Sequence, residues 1–143
     1  MALLVHYDAR DGRIVRVWEG NPVSMLEAQA SPDDPAQASL LVKTDVHYAE
    51  AMTGYYVQDG VLTPKTVLTL IADPNPFAAD GVTTCAITVV PFVPCMLQIE
   101  DTYWTLVEED QVLTLTADSP KRFVVELVSL AAYRADTITV EAI

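Results

Sequence analysis

The chain has 143 residues, room for one compact domain or two small ones, and its 51% apolar content argues for a packed core and against disorder. Twenty acidic side chains against eight basic ones leave a formal net charge of -12 spread over both halves, which suits solubility and argues against a phosphate-backbone partner. Apolar runs are all far shorter than the roughly 18 residues that cross a membrane, so no membrane insertion is expected. The start of the chain has neither a basic n-region nor a secretory apolar stretch, so the expectation is a protein made in the cytoplasm and left unprocessed.

Leu3 to Trp18 reads as a β-hairpin: Leu3-Leu4-Val5-His6-Tyr7, a turn at Asp8 to Gly12, and a return strand Arg13 to Trp18. Arg13 and Arg16 do not share one period-two phase, which places one of them at a strand end. Glu19-Gly20-Asn21-Pro22 then breaks the chain. Val23 to Ala30 fits either a third strand or a short helical turn, closed by Ser31-Pro32-Asp33-Asp34-Pro35. Leu40 to Lys43 is β-like, Asp45 to Met52 fits a short helical turn, and Tyr55-Tyr56-Val57 pairs with Val61-Leu62 across Gln58-Asp59-Gly60. Thr63-Pro64-Lys65 is the best boundary, giving a β-rich region over 1–62 and a second part over 66–143.

Beyond it, seven short strands are expected at Thr66–Ala72, Thr83–Val89, Met96–Ile99, Tyr103–Leu106, Val112–Thr116, Phe123–Val128 and Thr137–Glu141. Seven strands at this spacing suit an immunoglobulin-like antiparallel β-sandwich, so the fold class is all-β with one short helix at most. Asp73-Pro74-Asn75-Pro76 and Val90 to Pro94 belong at strand ends or crossing loops, because proline lacks the ladder donor.

Residue chemistry points away from catalysis and toward contact. Glu108-Glu109-Asp110, with Glu100-Asp101 upstream, lacks the looped oxygen pattern of a calcium site and reads as solvated acids at a hairpin tip. His6 and His47 have no nucleophile-elbow pattern near them, and the five glycines form no phosphate cradle. Cys85 and Cys95 lack a metal-ligand pattern and fit either a disulfide between neighbouring strands or two buried reduced thiols. No cofactor or metal is therefore expected. Trp18, Tyr55, Tyr56, Tyr103 and Trp104 are the candidate interface residues, since alternation sends one of Tyr55/Tyr56 and one of Tyr103/Trp104 outside the local core.

Tyr7-Asp8-x-x-Asp11-Gly12-Arg13-Ile14, His47-Tyr48 and the run Tyr56 to Lys65 resemble small tail-associated proteins of tailed bacteriophages. The second half is similar to bacterial immunoglobulin-like modules of phage structural proteins and adhesins. Ile71-Ala72, Ala79-Asp80-Gly81, Ala86-Ile87-Thr88-Val89 and Pro94-Cys95 match early strands. Asp118-Ser119-Pro120, Phe123 to Leu127, Tyr133-Arg134 and Thr137 to Ala142 match closing ones. Lys121 departs from the pattern, standing where such modules usually have Gly.

The resemblance implies a non-enzymatic virion structural protein of the tail tip, baseplate or tail fibre, a docking and spacer module used in multiple symmetric copies among other phage structural proteins. It supplies no catalytic residue. The competing readings are a receptor- or carbohydrate-binding module that stacks ligand on Tyr103 or Trp104, with a host surface receptor as partner, a capsid decoration protein, and a tail fibre assembly factor. The expected location is the virion.

Overall fold

A computed structural model of the chain describes residues 2–21 and 34–143, so the ambiguous segment Val23 to Ala30 lies outside the described residues. The fold is all-β in antiparallel sheets with a single short helix among those residues. Contacts divide the chain into two compact units, Met1–Thr66 and Val67–Ile143.

In the first unit, β1 (Ala2–Asp8) lies between β2 (Ile14–Gly20) and β3 (Gln37–Lys43), antiparallel to both. Ala2 through His6 are all buried, as a central strand covered on both faces requires. The odd phase of the return strand has a structural cause. His6 pairs with Arg16 but Tyr7 pairs with Ile14, leaving Val15 as the extra residue of a β-bulge. The bulge lets Ile14 and Val17, three residues apart, reach the same cluster as Leu3, Val5, Ala51 and Val57. Arg13 lies just before the strand.

Helix α1 (Tyr48–Gly54) supplies Ala51 to that cluster and gives way to extended backbone at Tyr55. The hairpin of β4 (Tyr55–Gln58) and β5 (Val61–Pro64) follows. Its two-residue turn has positive φ at both Asp59 and Gly60, the Asp-Gly chemistry of a type I′ turn. The first hairpin reaches this second one through its own turn, where the Val57 amide donates to the Gly12 carbonyl at 2.9 Å. Gly12 has φ +80°, and a Cβ there would overlap the Val57 carbonyl oxygen, so only glycine fits the approach.

The second unit holds two four-stranded sheets. One has the order β10 (Leu113–Leu115), β7 (Cys85–Val90), β6 (Thr66–Asp73), β12 (Tyr133–Ala135). The other runs β13 (Ile138–Ala142), β11 (Lys121–Leu127), β8 (Cys95–Ile99), β9 (Thr102–Leu106). All seven expected strands are present within a residue or two at each end, and β12 is an eighth that three residues of weak alternation did not signal. The buried sets Leu68/Leu70, Ile87/Val89, Leu97/Ile99, Leu113/Leu115 and Phe123/Val125 each repeat at period two, and both sheets feed one core. Phe77 and Phe123 stack within it at 6.3 Å.

After β6 the chain changes partner. The Phe77 amide donates to the Glu141 carbonyl at 2.9 Å, the Ala79 amide to the Ile143 carbonyl at 2.8 Å, and the Ile143 amide to the Phe77 carbonyl at 2.9 Å. Asn75 joins by side chain: its Nδ2 donates to the Thr139 carbonyl and its Oδ1 accepts from the Glu141 amide. The free edge of β13 is covered by these contacts. Pro74 and Pro76, with no amide to donate, stand where the chain leaves one sheet for the other.

Candidate functional site

The five candidate interface residues divide between the two units. In the first, Trp18 is half-buried on the sheet face that carries Leu4 and His6. His6 meets it in a T-shaped contact at 4.6 Å, and the Arg16 guanidinium lies 5.5 Å from its ring centre, so the indole already has two partners inside the unit. Tyr55 packs on the local core, and half-buried Tyr56 donates its hydroxyl to Gln58 Oε1 at 2.9 Å. These three are largely occupied by their own fold.

Tyr103 and Trp104 in the second unit differ. Alternation holds in the register: Trp104 pairs with buried Leu97 and so faces inward, while Tyr103 pairs with Gln98 on the outer face. Yet Tyr103 is 57% exposed and Trp104 43%, because β9 ends its sheet and leaves its inward side partly open. Thr102 through Thr105 are all exposed and only Leu106 is buried. Beside Trp104 opens a cavity of about 410 Å³ bounded by Leu106, Gln111, Val112 and Leu113, at the side where β9 and β10 border the shared core.

The loop between β9 and β10 bounds this cavity at one end, and it corrects one expectation. Glu108-Glu109-Asp110 does not sit at a hairpin tip, since β9 and β10 belong to different sheets and the loop crosses between them. Gln111 Oε1 holds the loop by accepting from the Val107 and Glu108 amides. Glu100-Asp101 is the tip of the β8–β9 hairpin, with Glu100 at φ 55° and its carboxylate 3.0 Å from Lys121 Nζ. Lys121 starts β11 and places its ammonium 4.7 Å from the Phe123 ring centre.

The remaining chemistry-bearing residues are apart from this surface. Cys85 lies on β7 and Cys95 on β8, strands of different sheets, both as buried free thiols whose pKa burial pushes up. That answers the alternative left open by their spacing. His47 stands at the N-cap position of α1 without a side-chain capping bond, its Nδ1 3.6 Å from Glu19 Oε2. Among the described residues no group of His, Cys, Asp and Glu is arranged to hold a metal ion, and no helix is long and apolar enough to cross a membrane.

What sequence reasoning missed is the extent of the exposure on β9. The available signal was composition: Thr-Tyr-Trp-Thr puts one Thr and one aromatic on each face, so the two faces have similar polarity, the mark of a strand with no fully covered side. No family model, no curated protein and no solved structure matches this chain.

Proposed function

We propose that this chain is a non-enzymatic virion structural protein, a docking and spacer module of the tail tip, baseplate or tail fibre, acting in multiple copies through surface contact. The phage assignment rests on the resemblance of the Tyr7–Ile14 and Tyr56–Lys65 segments and of the closing strands. The observation that carries the contact role is β9: an uncharged strand at the end of its sheet, with Tyr103 exposed on one face and Trp104 on the other, on a well-packed unit. The strand orders β10-β7-β6 and β13-β11-β8-β9 around one core support reading that unit as an immunoglobulin-like sandwich. Rigid sandwiches of this kind suit spacing because they hold a contact strand in fixed geometry, and symmetric repetition multiplies weak contacts. Mass spectrometry of purified particles tests the assignment: the protein is expected among the virion components, and its absence from them refutes the reading.

A second reading, carbohydrate or receptor binding, is favoured by one observation: the Trp104 ring borders the cavity beside β10 and offers a stacking face. A glycan array probed with the full chain and with Trp104→Ala decides it, since a stacking site requires both a hit and its loss.

A further inference from the structure

Three of the four sheet edges in the second unit are short or covered. β10 and β12 have three residues each, and the outer edge of β13 is occupied by Asn75, Phe77 and Ala79. β9 is neither. It has five residues, continuous register with β8, and no proline, lysine or bulge to blunt it. The two-residue turn at Glu100-Asp101 makes Ile99 and Thr102 a mutually bonded pair, so bonding to β8 alternates through Trp104 and Leu106. The amides and carbonyls of Tyr103 and Thr105 therefore point away from the sheet. Val107, next in that phase, has its amide taken by Gln111, which marks the end of the open stretch.

The ends of this uncharged stretch are acidic. Glu100 and Asp101 stand before it and Glu108, Glu109 and Asp110 after it, all exposed, with Lys121 paired to Glu100. That pattern decides the occupant. A second copy docked antiparallel on β9 would bring Glu100-Asp101 of one copy against Glu108-Glu109-Asp110 of the other at both ends, a like-charge clash. A strand with basic ends meets opposite charge at both.

We infer that the open edge of β9 is a strand-addition site for an extended segment of a different protein, with an uncharged, β-prone centre and Lys or Arg at its ends. Main-chain bonds to Tyr103 and Thr105 would provide affinity, and alternate side chains of the added strand would face the cavity beside Trp104. The acidic ends would speed encounter, set the register and exclude self-pairing. This rests on the contact role proposed above but not on the phage assignment: loss from particles would overturn the latter alone, and failure of the binding test below would overturn only the strand-addition site.

The test uses the full chain and synthetic peptides of about nine residues, long enough to span a strand of this length. One has an alternating Thr/Val centre with two lysines at each end, and its counterpart has glutamates instead. Binding is read from Trp104 fluorescence in a Trp18→Phe background and from peptide anisotropy. The lysine-ended peptide is expected to bind at least about tenfold more tightly than the glutamate-ended one, with the difference shrinking in high salt. N-methylating alternate backbone amides of the peptide should remove binding, a control that leaves the protein unchanged. Asp101→Lys, Glu108→Lys, Glu109→Lys and Asp110→Lys together should reverse the ranking of the peptides. Equal binding of both peptides, indifference to N-methylation, or a wild-type dimer in sedimentation that Thr105→Pro dissolves would each overturn the proposal, the last by making a second copy the occupant.

Discussion

Gly12→Ala isolates the contact that joins the two hairpins of the first unit. Two costs add at this position. The first is conformational: φ is +80°, where an L side chain loses about 1 kcal/mol relative to glycine. The second is steric, because the new methyl would overlap the Val57 carbonyl oxygen, and backbone cannot rotate aside as a side chain can. Relief requires the turn to withdraw, which breaks the 2.9 Å bond from the Val57 amide to the Gly12 carbonyl at a further cost of about 1 kcal/mol. The sum is about 2 kcal/mol. Gly60→Ala is the internal control, since Gly60 has nearly the same φ, +74°, but nothing within 4 Å of the would-be Cβ. It should lose only the conformational part, about 1 kcal/mol. Urea unfolding followed by Trp18 fluorescence in a Trp104→Phe background reads the first unit, and the two variants should differ by roughly 1 M in midpoint. Equal midpoints would refute the argument that backbone approach, rather than turn conformation, requires glycine at position 12.

Other outcomes follow from the second unit and from the surface turns. Asn75→Ala removes both side-chain bonds to β13, and at an exposed site this should cost about 1 kcal/mol and raise amide exchange at Glu141, with unchanged exchange counting against the clamp. Asp80 is held near pKa 2 by bonds from the Thr83 amide and hydroxyl and from the Val82 amide, and Asp8 near 2 by the Arg10 side chain and amide. Both values lie below the ordinary 3.8, so their stabilisation is complete above pH 4 and fades as pH falls toward 2; Asp80→Asn should flatten the acid limb of a stability–pH curve, and an unchanged limb would argue against it. Cys85 and Cys95 should resist a thiol reagent at pH 8 in the folded protein and react promptly in urea, since burial both blocks access and disfavours thiolate; fast native labelling of both would contradict their place in the core.

Local chemistry explains why so many elements were visible in the chain itself. Asp59-Gly60 between two β-prone runs fixes a tight hairpin, Asp8 to Gly12 supplies a turn with glycine at positive φ, and Leu113-Thr114-Leu115 alternates as a half-buried strand must. Strand existence depends on neighbours one to four residues away, and the sequence contains those neighbours. The candidate contact surface was legible only in part: Tyr103 and Trp104 could be placed on opposite faces, but their shared exposure follows from β9 lying at the end of its sheet.

Tertiary structure alone decided everything that depends on which strands become neighbours. Period two says that Leu97 and Trp104 each alternate, not that they pair, nor that β8 rather than β10 lies beside β9. The bulge at Val15 appears only once β2 must deliver Ile14 and Val17 to one cluster. The transfer of Phe77 and Ala79 to β13, the three-residue strand β12, and the separation of Cys85 from Cys95 arise the same way. Each is settled by long-range burial and by the need to satisfy backbone groups across tens of residues of chain, quantities that no local window of sequence contains.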